Sequence, residues 1–292
     1  METPQRLAAL LDAAVHRPAV RTAAAASREL TGLLLPSLCV LCGVRDGSVC
    51  PDCAPRLTAE LLHPFRAERD AGALPLRSLG PSEAAAALEE PGESAPLPVV
   101  AAARYGAEAS RALLAFKDHG RLPVVRFLRP AVYRALAAVP EQLGICGPFT
   151  LVPVPGSAAG YRRRGFDPVQ ELLGGALPPG WTVAHGWLAH RRAPAMEALR
   201  HRTSHAGSGS RQRRAGTRGR FRPTRRLAAH APGAARGGTA SVVLFDDVMT
   251  TGSTLAATWR ALEDAGISPV GAVVLAAVTA PGPGSDEGLN SA

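Results

Sequence analysis

Two adjacent carboxylates and a run of hydroxyl-bearing residues lie within nine positions of one another near the end of the sequence. Asp246 and Asp247, the acid pair, follow the apolar run Val242–Phe245 and precede the segment Thr250–Thr254, the phosphate loop. Helix-start N–H groups attract anions, and Gly252 has no Cβ to keep a phosphate from the backbone. Carboxylates repel a phosphate but bind sugar hydroxyls or a divalent metal. A sugar phosphate would satisfy both halves of the site, whose residues are Asp246, Asp247, Thr250, Thr251, Gly252, Ser253 and Thr254.

The same segment could be an ordinary α/β turn that uses Asp and Thr as caps. A cap uses one or two such residues, whereas seven of these nine positions are polar or glycine. The sugar-phosphate interpretation is therefore favoured. The segment lacks the Gly-Lys-[Ser/Thr] ending of a Walker A loop and the G-x-G-x-x-G pattern of a dinucleotide-binding loop.

Four of the five cysteines lie within 15 residues, as two Cys-x-x-Cys pairs. Such pairs supply the four thiolates of a structural zinc site, and Asp46-Gly47 between them is a hairpin signal. Two disulfides or a redox dithiol are the alternatives, and the zinc site is favoured because no export signal is recognised. We predict that Zn²⁺ is bound by Cys39, Cys42, Cys50 and Cys53, and that Cys146 is a core residue.

Arginines form two further groups. Arg162, Arg163 and Arg164, followed by Gly165, are predicted to lie in a glycine-flanked loop after the strand Phe149–Val154, where they could bind a multivalent anion. A solvated basic turn is the alternative for this group.

The segment 190–226 holds 12 arginines, no lysine and one acid. It could be a mobile loop that closes over pyrophosphate through Arg213 and Arg214, a nucleic-acid-binding arm, or a solvated tail. Phe221 is the one aromatic residue inside it, which argues against a stacking platform for single strands.

Length and composition favour a large α/β domain with a small one before it. The 292 residues are 46% hydrophobic, enough for a sizeable core, and carry a net charge of +9. Neither a membrane span nor a signal peptide is recognised, so a cytoplasmic location is expected. The predicted divisions are an N-terminal helical segment (1–36), a zinc-ribbon-like knuckle (37–60), a loosely ordered linker (61–98), an α/β domain (99–280) that includes the 190–226 loop, and a tail (281–292).

Apolar runs predict the strands that position the site. They lie at 99–104, 149–154, 242–245 and 270–278, and the last three are expected to be parallel, with the ligand at their carboxyl ends. Helices are predicted over about 107–116, after Pro123, over about 167–176 and after the phosphate loop.

The segment FDDVMTTGST resembles the phosphoribosyl pyrophosphate signature of type I phosphoribosyltransferases. The order of motifs over about residues 30–280 is similar to the ComF (competence protein F-like) family, which places a zinc ribbon before such a domain. These motifs are the four cysteines, Phe116-Lys117 with Gly120, Val152–Pro155, Arg163–Phe166 and the final signature. Gly216 stands where that family has an Asn, and Asp167-Pro168 stands where Asn-Gln is common.

The resemblance implies an α/β, parallel-sheet type I phosphoribosyltransferase-like core with a small N-terminal zinc-ribbon domain. It implies that Asp246 and Asp247 bind the ribose hydroxyls, that Thr250–Thr254 bind the 5′-phosphate, and that Arg162–Arg164 bind the pyrophosphate with Mg²⁺. The expected activity is transfer of the phosphoribosyl group to a nitrogen acceptor that the sequence does not identify. The alternative is a non-catalytic sugar-phosphate sensor in DNA uptake, with single-stranded DNA or uptake proteins as partners.

Overall fold

The computed structural model describes residues 38–44, 47–78, 93–191, 219–228 and 240–279. The predicted N-terminal segment 1–36, the tail 281–292 and residues 192–218 of the arginine-rich segment lie outside these ranges.

Within the described ranges, ten strands form one large sheet and two small ones. They are β1 (Phe65–Arg66), β2 (Leu76–Ser78), β3 (Ser94–Pro96), β4 (Val99–Arg104), β5 (Phe149–Pro153), β6 (Trp181–Val183), β7 (Leu188–His190), β8 (Phe221–Pro223), β9 (Ser241–Met249) and β10 (Gly271–Ala277). The large sheet has the order β1-β4-β10-β9-β5-β6, in which only β1 is antiparallel to its neighbour. β2 pairs with β3, and β7 pairs with β8, both antiparallel.

The same ranges contain seven α-helices. They are α1 (Ala54–Glu60), α2 (Ala107–Lys117), α3 (Val125–Leu143), α4 (Ala158–Arg164), α5 (Pro168–Leu172), α6 (Arg225–Ala228) and α7 (Ser253–Glu263). No helix in the described ranges combines the length and apolar character that crossing a membrane requires.

Both faces of the large sheet are covered, which explains why its central strands are continuously apolar rather than alternating. All seven residues of β10 are buried. Val100 belongs to a cluster with residues of α2 and α3, whereas its neighbour Val99 belongs to a cluster with residues of α7. Successive strand residues thus enter opposite cores, as the period of two requires. The expected α/β fold class with a mostly parallel sheet is confirmed.

The structure differs from the predicted linker over 61–98. β1 pairs with β4 at the edge of the large sheet, and the Ala67 N–H donates to Val99 O at 2.9 Å. Ala71 and Leu74 are buried in the same core as α7. These residues form part of the main domain because their few apolar side chains fill its edge, a contribution that a proline- and alanine-rich composition does not reveal.

The cysteine segment also packs on the main domain. Cys39, Cys50 and Cys53 are buried in the same core cluster as residues of α2. α1 follows Cys53, and its last residue, Glu60, accepts hydrogen bonds from the backbone N–H groups of Glu108 (3.2 Å) and Ala109 (2.8 Å). A carboxylate at a helix N-terminus satisfies donors that have no partner within the helix and complements the helix dipole. Glu60 therefore caps α2 from another helix.

We expect Glu60→Gln to lower the free energy of unfolding by about 1 kcal/mol, because the amide keeps one acceptor and loses the charge. Chemical denaturation of the variant and the wild type would measure the difference. Glu141→Gln, which changes an exposed carboxylate near the end of α3, is the matched control and should have no measurable effect. Equal stabilities of the Glu60 and Glu141 variants would contradict the capping role.

Candidate functional site

The phosphate loop connects β9 to α7 at the carboxyl edge of the sheet. α7 begins at Ser253, and the Ser253 N–H reaches the Thr251 hydroxyl oxygen at a long 3.4 Å. Within the part of the chain that the structure describes, no protein acceptor binds the backbone N–H of Thr250, Thr251 or Gly252. These donors stand at the positive end of an 11-residue helix, which is the arrangement that binds phosphate.

Gly252 is required by the protein's own packing. Its φ is +80°, a left-handed conformation that favours glycine, and a Cβ there would lie 2.7 Å from Leu74 Cδ2. The Ala73 N–H also donates to Thr251 O at 2.9 Å. The segment between β1 and β2 thus fixes the phosphate loop from one side. The sequence predicts that Gly252 is needed so that a phosphate can approach the backbone. The structure gives a different reason, which is the close contact with Leu74.

The acid pair lies inside β9. The sequence predicts instead that the pair follows the end of this strand. β9 continues to Met249 because its pairing with β10 continues to that residue, with Asp246 opposite Val274. Asp246 and Asp247 are each only 8% exposed. Consecutive strand residues point to opposite faces, so the two carboxylates do not stand in equivalent surroundings.

Asp247 forms an ion pair with Lys117, the single lysine of the chain. The Lys117 ammonium lies 3.0 Å from Oδ1 and 2.9 Å from Oδ2 of Asp247. Lys117 is the last residue of α2, so this contact joins positions 130 residues apart. In the sequence Lys117 belongs to a motif of the family, which does not reveal its contact with Asp247. That it is the single lysine of the chain is the signal that could have identified it.

Asp246 is in a different electrostatic state. Burial, followed by the negative charge of Asp247, raises the pKa of Asp246 to about 8, although the Asp247 N–H, Lys117 and Arg220 oppose the shift. The Asp247 N–H donates to Asp246 Oδ1 at 2.9 Å. A buried carboxyl beside another carboxylate keeps its proton to a higher pH.

A third carboxylate, Asp167, lies close enough to Asp247 for the two charges to interact. Its Oδ1 accepts the Val169 N–H at 3.0 Å and so caps α5. Burial raises the pKa of Asp167, and the charge of Asp247 adds to this effect, whereas Val169 and Arg164 act against it. In the sequence Asp167 is a departure from the pattern of the family. Nothing local in the sequence predicts its interaction with Asp247.

The arginine group is helical, which corrects the prediction of a glycine-flanked loop. Arg162, Arg163 and Arg164 form the last turn of α4, which is capped by Ser157 and ends at Gly165 with φ +75°. Successive helix residues point about 100° apart, so the three side chains leave the helix in different directions, and their contact with pyrophosphate stays a prediction. Arg163 pairs with Asp118 at 3.3 Å.

The pair β7–β8 stands beside the loop that follows β5. The His190 ring Nε2–H donates to Pro155 O at 3.0 Å, and the ring packs on Phe221 with centroids 4.9 Å apart. Burial, followed by the charge of Arg220, lowers the pKa of His190, while the Pro155 carbonyl and Asp167 oppose the shift. Arg213 and Arg214 lie outside the described residues, so their predicted contact with pyrophosphate stays a prediction.

The four predicted cysteine ligands come together. All four sulfur atoms, of Cys39, Cys42, Cys50 and Cys53, lie within 4.8 Å of one another. The sulfur atoms of Cys42 and Cys50 are 3.6 Å apart. Tetrahedral zinc with bonds of about 2.3 Å would place sulfurs about 3.8 Å apart. None of the four forms a disulfide, and Cys146 is exposed rather than in the core as expected. The four-cysteine cluster therefore fits a structural zinc ion.

The thiols of this cluster are electrostatically uneven. Burial opposes ionisation of Cys39, but N–H groups of Cys50, Cys42 and Leu41 outweigh it and lower the pKa of that thiol to about 6. Burial and the neighbouring sulfurs raise the pKa of Cys53 to about 12. Backbone N–H groups directed at a sulfur stabilise a thiolate, which is the form that binds a metal.

Residues 219–287 match the family model of the phosphoribosyl transferase domain. The match includes the acid pair and the phosphate loop, and it covers β8, β9, α7 and β10 of the structure. It supports a phosphoribosyltransferase-type function with phosphoribosyl pyrophosphate as a substrate. No curated protein matches the chain.

We expect the purified protein to contain about one zinc ion per chain and Cys53→Ser to lose it, because a hydroxyl is a poor replacement for a thiolate ligand. The melting temperature should fall as well, since Cys53 is buried beside α1. Elemental analysis and thermal unfolding measure both effects. Cys146→Ser removes the exposed fifth cysteine as a control, and equal zinc contents in the two variants would contradict the assignment.

The pKa of Asp246, 3.8 when unperturbed and about 8 in the fold, makes stability depend on pH. Between these values the folded protein binds a proton that the unfolded chain has lost, so the free energy of unfolding falls as the pH rises through that window. Asp246→Asn removes the dependence. Relative to the wild type, the variant should gain at least about 1 kcal/mol on going from about pH 5 to about pH 8. Parallel curves from denaturation at both pH values would contradict the raised pKa.

Proposed function

We propose that this protein binds phosphoribosyl pyrophosphate together with Mg²⁺ and transfers the phosphoribosyl group to a nitrogen acceptor. The observation that carries the proposal is that a group of backbone N–H donors and a group of carboxylates lie next to each other at the carboxyl edge of the sheet. The backbone donors of Thr250–Gly252, which no acceptor among the described residues binds, suit an anion, and the buried carboxylates of β9, three to six residues earlier, suit hydroxyls. A phosphorylated sugar presents both groups.

In this proposal the 5′-phosphate binds at the phosphate loop. The N–H groups of Thr250, Thr251 and Gly252 and the hydroxyls of Ser253 and Thr254 would be its donors. The ribose 2′- and 3′-hydroxyls would donate to Asp247 and contact Asp246. Because Asp246 holds its proton at neutral pH, it can also donate a hydrogen bond, which an ionised carboxylate cannot do.

Mg²⁺ would be held chiefly by oxygens of the ligand. Among the described residues, the four cysteines are the only cluster of three or more side chains able to ligate a metal. The carboxylate oxygens Oδ1 of Asp246 and Oδ1 of Asp167 already accept backbone N–H groups. Bound Mg²⁺ would supply neutralisation of the diphosphate charge.

The reaction breaks the bond between the anomeric carbon and the pyrophosphate oxygen and forms a bond to the acceptor nitrogen, which loses a proton. Positive charge develops on the sugar as the pyrophosphate leaves. The Asp247 carboxylate near the ribose would stabilise this positive charge, and the helix-start donors would hold the 5′-phosphate in position. Arg164, which acts electrostatically on Asp167, is the member of the arginine group that we place nearest to the leaving group.

A non-catalytic sensor would share the same binding site, so turnover separates the two functions. Pyrophosphate release from phosphoribosyl pyrophosphate with Mg²⁺ and a panel of nitrogen bases would establish the transferase. Tight binding without release for any base would assign a sensor instead. Three further predictions rest on the sequence and the family resemblance. They are a role in DNA uptake, a cytoplasmic location and a nucleic-acid partner for 190–226.

We expect Asp247→Asn to weaken binding of phosphoribosyl pyrophosphate by about 10- to 100-fold, because a hydroxyl loses a charged acceptor worth about 1.5–3 kcal/mol. Titration calorimetry with Mg²⁺ present measures the affinity. Asp264→Asn, which makes the same chemical change at an exposed residue after α7, should leave the affinity unchanged. Equal affinities of the two variants would place the sugar elsewhere.

A further inference from the structure

Lys117 occupies the carboxylate that the proposed function assigns to the ribose. Its ammonium contacts both oxygens of Asp247, at 3.0 Å and 2.9 Å. The Lys117 side chain is 29% exposed and that of Asp247 is 12% exposed. An exposed ion pair contributes little to stability, but this one is partly buried.

The residues on either side of Lys117 contact the segment that carries the arginine group. Phe116 packs on Phe166, with ring centroids 5.4 Å apart, and Asp118 pairs with Arg163 at 3.3 Å. The end of α2 is therefore fixed between the acid pair and the end of α4. Lys117 lies at this junction, and its flexible four-carbon stem lets the ammonium change partners without movement of the helix.

The charges around Lys117 make such a change favourable for one class of ligand. Asp167 and Asp246 both interact with the charge of Asp247, and burial, followed by that charge, raises the pKa of Asp246; burial is also the main cause of the raised pKa of Asp167. A diphosphate brought to this edge would be repelled by the carboxylates, and a cation at Asp247 would offset that repulsion in addition to the Mg²⁺ that accompanies the diphosphate. Lys117 is the cation in direct contact with Asp247, and it has three N–H donors to share between a carboxylate and a phosphate.

We propose that Lys117 is a specificity-determining residue that holds Asp247 in the absence of ligand and turns part of its hydrogen bonding to the diphosphate when a sugar 1-diphosphate binds. The proposal rests on the proposed function. Ribose hydroxyls can take up lone pairs on Asp247 that the ammonium releases, so binding of the diol and of the diphosphate is coupled through one side chain. A sugar monophosphate offers the ammonium no second partner. Lys117 thus favours phosphoribosyl pyrophosphate over ribose 5-phosphate.

The test compares two ligands on three proteins. Affinities of phosphoribosyl pyrophosphate and of ribose 5-phosphate, each with Mg²⁺, are measured by calorimetry for the wild type, Lys117→Met and Lys117→Arg. We expect Lys117→Met to lose about 10- to 100-fold for the diphosphate and less than about 3-fold for the monophosphate. Lys117→Arg should recover part of the discrimination because it keeps the charge. Arg111→Met, an exposed residue of the same helix, is the control and should keep the wild-type ratio.

A second readout uses the single lysine of the chain. Reductive methylation with ¹³C-formaldehyde labels only Lys117 and the N-terminal amine, and it keeps the positive charge. The ¹³C signal of Lys117 should shift on addition of phosphoribosyl pyrophosphate and shift much less with ribose 5-phosphate. A purely structural ion pair would give the same response to both ligands.

Three outcomes would overturn the inference. Equal losses for both ligands in Lys117→Met would show that the residue only shapes the site, and unchanged affinities would show that it takes no part in binding. Failure of the folded wild type to bind either ligand would refute the proposed function itself and the inference with it. The first two outcomes leave the proposed function standing, so the two failures are distinguishable.

Discussion

Burial of two adjacent carboxylates in a central strand of the sheet is the constraint on which the rest of the site depends. Asp246 and Asp247 sit in β9, which is hydrogen-bonded on both sides, so neither can withdraw from the other without breaking the sheet. Two features of the fold accommodate these buried acids. Asp246 keeps its proton, and Asp247 receives the ammonium of Lys117.

The elements around the acid pair hold it from three directions. β10 and β5 fix the strand, Leu74 and Ala73 contact the phosphate loop, and α2 delivers Lys117 from the far side of the sequence. The four-cysteine cluster belongs to this framework, since α1 follows it directly and caps α2 through Glu60. Arg56 extends the same link, because its guanidinium lies 3.4 Å from the Cys53 sulfur and 3.1 Å from Glu108. A metal ion at the cysteines would therefore stabilise one end of the helix whose other end reaches the site.

Much of this was predictable where the signal is local. The strand Val99–Arg104 was predicted with its observed bounds, and the phosphate loop and the four cysteines each occupy a short stretch whose spacing reveals its geometry. The contact of Lys117 with Asp247 and the approach of Asp167 were not predictable, because a single sequence does not record which distant residues the topology brings together. The arginines were misplaced in a loop because Gly165 ends a helix here, and a glycine after basic residues also fits a turn. Residues 61–78 were assigned to a linker because their strands are too short to show a period.

The central claim is that one ligand joins the phosphate loop to the acid pair. A crystal structure of the protein with phosphoribosyl pyrophosphate and Mg²⁺ tests it most directly. The 5′-phosphate should accept from the N–H groups of Thr250–Gly252, and the ribose hydroxyls should lie within hydrogen-bond distance of Asp246 and Asp247. A ligand bound with its phosphate at another helix, or with the ribose turned away from both carboxylates, would contradict the claim.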